Sequence, residues 1–462
     1  MEKTYRELAD QLFKLPIAGF EVNDAQLNFN GVDLMAIIAE HGTPLKLTYL
    51  PKITEKITEA KAIFAKAMAK ANYKGDYTYC YCTKSAHFSF VLEEALKNGV
   101  QIETSSAFDI HILNRLIDSG KIDKTTILIH NGYKRELYLE LIADLINRGY
   151  NSMPILDNKL ELAKLMPMLD RDINIGLRIA TGEEPASNYY SSRLGIRRVE
   201  VLDFFEAEIK PNRSVKLKML HFFIDSGIED SSYYWDELAK CVETYCALKK
   251  LCPDLHTLNI GGGFPVCFSL VQELDHQGLA DGIIRYIKEK CDEENIPEPD
   301  IFTEFGSYTV AESGAVIYSI IDQKKQNDVE CWNMIDSSFI NTLPDSWAIN
   351  QKFILLPINR WNEPYEQVNL GGLTCDSLDH YNQEAHDSSI FMPKYNADQP
   401  LYIGFFHTGA YQQALGGYGG LQHCLIPSPK QVLIGKNEDG SLYHEVFSEE
   451  QKPDYMMKIL GY

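Results

Sequence analysis

Between residues 75 and 306 the chain alternates between two hydrophobic patterns. Short, mostly apolar runs rich in β-branched and aromatic residues read as strands: YTYCYCTK (77–84), VQIETSS (100–106), TTILIHN (125–131), SMPILDN (152–158), INIGLRIA (173–180), LKMLHFFI (217–224), HTLNIGGG (256–263) and IFTEFG (301–306). Between them apolar residues recur at helical spacing, and HFSFVLEEALKNG and FDIHILNRLIDSG each stop at a glycine. Eight strand–helix units predict a (β/α)8 barrel, with an open doubly wound sheet as the alternative. After about residue 325 long helical periods give way to short apolar runs broken by turn residues. This predicts a second, mostly β domain. The expected domains are a barrel over residues 45–325 and a β domain built from 326–462 and 1–44, the latter contributing strands from 20–44.

A length of 462 residues suits two cores better than one. The formal net charge of -21 opposes binding to nucleic acid and favours cationic small molecules, although solubility alone explains much of it. Ten cysteines lie scattered without a CxxC pair or zinc-finger spacing, so no metal cluster is expected and the compartment reads as reducing. The N-terminus lacks a signal-peptide core and no run is long enough to span a membrane, which predicts a cytoplasmic protein.

In a barrel, functional side chains gather at the C-terminal ends of the strands. The first strand ends at Lys84, the sixth near His221, Phe223 and Ser226, the seventh at Gly261, Gly262 and Gly263, and the eighth at Glu304. A lysine closing an uncharged strand would be desolvated enough to attack an aldehyde as a free amine, although a snorkelling lysine is the commoner use of such a position. Three glycines can present backbone N–H groups to a phosphate, or simply make a turn. A carboxylate at Glu304 can keep a pyridine nitrogen protonated, or sit in an ordinary ion pair. In the β domain, TCDSLDHY (374–381) groups Cys375, Asp376 and Asp379, and TGAY (408–411) ends at Tyr411. Composition alone does not direct these at the barrel, and a buried structural thiol is the usual reading of such a cysteine.

These segments resemble the fold-type III pyridoxal-phosphate decarboxylases, the group that includes ornithine, diaminopimelate and arginine decarboxylases. TYCYCTKSAHF is similar to the cofactor-lysine strand, and IETSS, HNGYK, SRLGI, LHFFIDSG, LNIGGGF, TEFGS, TCDSLD and TGAYQ follow in the family's order over roughly residues 45–425. LPDSWAINQKFILLPINRW (343–361) and TCDSLDHYN resemble biosynthetic arginine decarboxylases in particular, in a compact version without their extra helical insertion. The resemblance implies pyridoxal 5'-phosphate bonded to Lys84. Phe223, Ser226, Gly261, Gly262, Gly263, Glu304 and Tyr411 would bind the cofactor. Cys375 would be the catalytic thiol, and Asp376, with Asp345 or Asp379, would bind the substrate's cationic end.

The resemblance further implies a homodimer that shares its active sites, and conversion of arginine to agmatine in polyamine biosynthesis. Alternatives are another basic substrate (ornithine, lysine, diaminopimelate or carboxynorspermidine) or an inactive, protein-binding relative. The chain departs from the family pattern in three places: Phe223 stands for a histidine, Asp225 for a glycine, and Ser307 for the arginine of the E-P-G-R segment.

Overall fold

A computed structural model describes residues 3–182, 190–418 and 422–462. The chain divides into two compact units, one of residues 54–265 and 275–309, the other of residues 1–53, 266–274 and 310–462.

The first unit is a closed barrel of eight parallel strands: β1 (Tyr77–Cys82), β2 (Gln101–Thr104), β3 (Leu128–His130), β4 (Ser152–Leu156), β5 (Ile173–Ala180), β6 (Val215–His221), β7 (Thr257–Asn259) and β8 (Asp300–Phe305). The open-sheet alternative is excluded because β8 pairs with β1 and β4 pairs with β5. Each of the eight sequence runs overlaps one of these strands. β3 and β4 are buried at every position, as expected of strands covered on both faces. Cys80, Ile129, Met153, Ile155, Met219 and Phe302 fill the interior, so the cylinder is a packed core rather than a pore. The helices between strands start where side chains cap them; Ser106 and Asp109 form a reciprocal capping box ahead of Ala107–Asp118. Closure is narrowest between β4 and β5, where Ile155 pairs with Gly176 and Leu156 with Leu177. A Cβ on Gly176 would come within 2.4 Å of Ile155 Cδ1, so glycine permits that approach.

In the second unit the twelve-residue strand Gly314–Lys325 pairs with Leu45–Tyr49, Cys331–Ile335 and Leu401–Phe406. Two apolar cores form there, one around Trp361, Phe20 and Phe406, the other around Tyr318, Phe339 and Phe405. The strands within residues 20–44 behave differently from the expectation. Phe20–Asn23, Gln26–Phe29 and Val32–Asp33 pair with one another as a separate three-stranded sheet, and the strand that joins the large sheet is Leu45–Tyr49. Asp24 and Ala25, both at positive φ, make a two-residue hairpin turn whose twist matches the strands it joins, so this segment closes locally.

Candidate active site

The C-terminal ends of the barrel strands carry a dense polar cluster. Lys84 sits in the single 3-10 turn Thr83–Ser85 that follows β1, and its Nζ lies 2.9 Å from Glu103 Oε2 at the end of β2. The Glu103 side chain is fully buried, while that of Lys84 is 42% exposed. Ser105 Oγ donates to the other Glu103 oxygen at 2.7 Å. A buried carboxylate is tolerable only when its oxygens are matched in this way.

Glu304, on β8, is equally constrained. Its Oε1 accepts from Asn259 Nδ2 at 2.6 Å and its Oε2 from Asn131 Nδ2 at 2.8 Å. Asn259 ends β7 and Asn131 follows β3, so three strands fix this carboxylate. It comes near Lys84 through the β8–β1 pairing, in which Glu304 stands opposite Cys80, while Cys82 stands opposite Glu103 on the other side of β1. Cys82 Sγ donates to the Glu304 carbonyl at 3.1 Å, and burial pushes both Cys80 and Cys82 thiols well up, so they remain inert.

His221 ends β6 with its Nδ1 3.8 Å from Glu304 Oε1, and burial followed by the Arg178 charge lowers its pKa to about 3. His130 is held between Thr104 Oγ1 and Ser152 Oγ, each at 2.7 Å, and burial lowers it to about 3 as well. Both imidazoles are therefore neutral near pH 7. Arg178, on β5, is shifted down by burial against the opposing pull of Asp157, Glu304 and Glu103.

The glycine turn departs from β7 in a conformation few residues adopt. Gly261 and Gly263 have φ of +74° and +88°. A Cβ on Gly261 would lie 2.5 Å from the Phe222 carbonyl oxygen, and one on Gly263 would lie 2.5 Å from Gly227 Cα. A Cβ on Gly262, between them, would crowd the Glu304 carbonyl oxygen. The loop after β6 therefore packs directly on the glycine backbone, and Ile228 N donates to Gly263 O at 2.8 Å. Ser226 stands at this junction, its Oγ making only a long 3.4 Å contact with Gly227 O. Phe223 is half-buried just beyond β6, and its carbonyl accepts from Thr181 Oγ1 at 2.8 Å.

The remaining sequence candidates lie in the β unit. Tyr411 has a positive φ and precedes the short helix Gln412–Leu415. Gln412 ties this segment to Asp345, donating from Nε2 to Asp345 Oδ2 at 2.7 Å and accepting from Asp345 N at 3.2 Å. Burial raises the Asp345 carboxyl. Cys375 is exposed, its Sγ 3.6 Å from Cys424 Sγ, and this neighbouring thiol raises its pKa. Asp376 caps its own turn by accepting from Leu378 N at 2.8 Å. Asp379, read from sequence as a substrate ligand, is instead buried and accepts from Phe339 N, Ile340 N, Thr374 N and Thr374 Oγ1. With both oxygens committed to these donors, it anchors the Thr374–Asp376 loop rather than facing a ligand.

Residues 54–311 match the family model described as the pyridoxal-binding domain of pyridoxal-dependent decarboxylases. The chain belongs to this family. Among curated relatives, the decarboxylase is 22% identical to the biosynthetic arginine decarboxylase of Prochlorococcus marinus strain AS9601, over 94% of this chain and 85% of that protein. It is 23% identical to the one from Photorhabdus laumondii, over 89% of this chain and 82% of that protein. The first alignment extends over 561 positions, more than the 462 residues of this chain, so that relative carries segments absent here. In fold, the decarboxylase resembles the biosynthetic arginine decarboxylase of Campylobacter jejuni, with a TM-score of 0.82 at 19% identity over 99% of this chain and 90% of that one. It also resembles a diaminopimelate decarboxylase of M. jannaschii, with a TM-score of 0.78 at 17% identity over 95% of this chain and 97% of that one.

The barrel mouth fits the family's cofactor. Arg178 Nε, His221 Nδ1, Asn131 Oδ1 and Thr83 Oγ1 are buried there without a hydrogen-bond partner. Native interiors rarely leave polar atoms unmatched, and several at one strand-end cluster accord with a polar ligand. The Gly261–Gly263 turn, packed on residues 226–228, supplies a backbone cradle with no room for side chains. Glu103, Asn131, Arg178 and Asn259 were not singled out from sequence. Their signal was partial: Asn131 and Asn259 are polar residues closing mostly apolar strand runs, whereas Glu103 sits in a polar run and Arg178 short of its strand's end.

Proposed function

We propose that this protein decarboxylates L-arginine to agmatine and carbon dioxide, using pyridoxal 5'-phosphate at the C-terminal mouth of the barrel. The observation that carries the reading is the convergence of the Lys84–Glu103 pair, the doubly held Glu304 and the glycine cradle at adjacent strand ends. When bound, the cofactor supplies an electron sink for the charge left at the substrate Cα after carbon dioxide departs.

The protein's own residues bind, orient and move protons. Lys84 would hold the cofactor through its Nζ, aimed by Glu103. Glu304 would meet the ring nitrogen with a carboxylate whose two oxygens are already set by Asn259 and Asn131, so no reorganisation is needed at that contact. Neutral His221 adjoins Glu304 without adding a charge that would compete for it. Gly261–Gly263 with Ser226, and Tyr411 from the β unit, would take the phosphate, and half-buried Phe223 supplies an apolar face. Cys375 would donate a proton to Cα.

Arginine is favoured because curated relatives spanning nearly the whole chain carry the name biosynthetic arginine decarboxylase. Asp376 and Asp345 would pair with the planar guanidinium. The net charge of -21 attracts such a cation. The setting is cytoplasmic polyamine synthesis by a homodimer whose sites each draw the Cys375 segment from the other subunit. Among the described residues no helix is long and apolar enough to cross a membrane.

A panel measuring carbon dioxide release from arginine, ornithine, lysine, diaminopimelate and carboxynorspermidine tests the substrate. Release from arginine alone, lost in Lys84→Ala, is expected. Turnover of another member with arginine inert would move the assignment to that amino acid. A purified protein that takes up no cofactor colour would point to an inactive relative.

A further inference from the structure

Besides the barrel mouth, the β unit brings three soft or borderline ligands together on its surface. Cys375 Sγ and Cys424 Sγ are 3.6 Å apart, and His423 Nε2 is 3.9 Å from Cys424 Sγ. All three ligand atoms lie within 4.8 Å of one another, and all three residues are exposed. We propose that Cys375, His423 and Cys424 form a three-ligand site for a thiophilic divalent metal of the zinc class.

The spacing leaves room for an ion between the sulfurs. With zinc bonds of about 2.3 Å to sulfur and about 2.0 Å to nitrogen, a tetrahedral ion holds two sulfurs about 3.8 Å apart and a sulfur and nitrogen about 3.5 Å apart. The sulfur pair stands near the first separation, and the Cys424–His423 pair is a few tenths of an ångström outside the second. A disulfide would require the sulfurs to close to about 2.05 Å.

The two loops that carry the ligands are fixed to one short helix, Phe339–Thr342. Asp379 binds the first two N–H groups of that helix with one oxygen and Thr374 with the other, which anchors the loop bearing Cys375. Asn341, from the same helix, donates to His423 O and accepts from His423 N, each at 3.1 Å. Cys424 itself is held at φ 52° and ψ 20°, a backbone state costly for a residue with a side chain. Anchored loops and a constrained cysteine mean that little order remains to be created when an ion arrives.

Binding balances simply. The divalent ion takes two thiolates and one neutral imidazole, two protons leave to solvent, and the fourth position stays open to water. The functional consequence rests on the role of Cys375 proposed above. An ion bound there removes the proton that Cys375 would deliver and halts turnover reversibly.

The test uses the reduced, chelator-stripped, cofactor-loaded protein titrated with Co²⁺ and read at the red end of the spectrum, away from cofactor absorption. Tetrahedral d–d bands are expected, displaced by Zn²⁺ and lost in both Cys424→Ser and His423→Ala. Both variants should keep metal-free turnover, and Cys424→Ser should need about tenfold or more Zn²⁺ for half inhibition. Absence of the bands in the wild type, or their persistence in both variants, overturns the site. So does a mass two hydrogens lower that maps to a Cys375–Cys424 disulfide in the reduced sample. Bands in the wild type with unimpaired turnover would support the site and remove Cys375 from the reaction, so the two readings fail separately.

Discussion

Single carboxylates in this protein differ sharply in what surrounds them, and their substitutions should differ accordingly. Glu304 presents both oxygens to amide donors. Glu304→Gln removes the charge and sets an NH2 group against one of those donors, so kcat should fall by about a hundredfold and the thermal midpoint should fall as well. Stopped-flow or steady-state assays alongside a melting curve check this. Glu384, in the β unit, is less well matched: His386 Nε2 lies 3.8 Å from its Oε2, and burial, aided by Asp387, raises its pKa to about 8. A folded-state pKa above the unfolded value means that Glu384 supports folding fully at low pH, with support fading as pH climbs from the unfolded value toward 8. In Glu384→Gln the decline in stability between pH 5 and 8 should be shallower by up to about 1.4 kcal/mol per pH unit, read from urea midpoints. At this scale the sequence was informative about Lys84, Glu304 and the triple glycine, because their positions follow from where strands end. It pointed Asp379 at the substrate, whereas the structure gives that carboxylate four protein donors. An acidic residue two positions beyond a turn looks the same whether it faces solvent or four backbone and hydroxyl donors, and only tertiary packing decides.

The helix Phe339–Thr342 is one turn long and could not persist alone. It endures because Asp379 caps its start, Ser338 Oγ accepts from Asn341 N, and Phe339 is buried in an apolar core. Asp379→Ala leaves two helix N–H groups and Thr374 unmatched, so the β unit should lose about 3 kcal/mol, and the Cys375 loop should become sensitive to protease. Limited proteolysis with mass mapping, next to a denaturant titration, checks both effects. The barrel strands were legible because buried parallel strands are apolar throughout. The hairpin at 20–33 was legible as strands but not as a separate sheet. Pairing partners are set by the tight turn at Asp24–Ala25, and two residues of that chemistry carry little weight beside the hydrophobic pattern.

For the whole molecule, the decisive question is how the two proposed contributors to one reaction, Lys84 and Cys375, are shared between subunits. If each site takes its thiol from the other chain, inactive Lys84→Ala and inactive Cys375→Ala proteins should restore activity when mixed. Half of the dimers would be mixed and each would hold one intact site, so about a quarter of wild-type activity should return. No recovery on mixing, with exchange verified by mass, would place both groups in one subunit's site. The change of hydrophobic period near residue 325 pointed to two units, whereas the structure divides them at residues 53/54 and 309/310. The excursion of residues 266–274, which leaves the barrel unit and is counted with the β unit, carries no such change and escaped notice.

A ring of strands is only as rigid as its weakest join. Between β4 and β5 two residue pairs do the work that six do between β5 and β6, and glycine at one of them contributes no side chain to brace the contact. Thermal breathing should therefore begin along that line, detectable as early amide exchange at Leu156 and Leu177. Asp157 and Arg178 flank the same line, so opening there would change their separation and with it the electrostatic setting of the mouth.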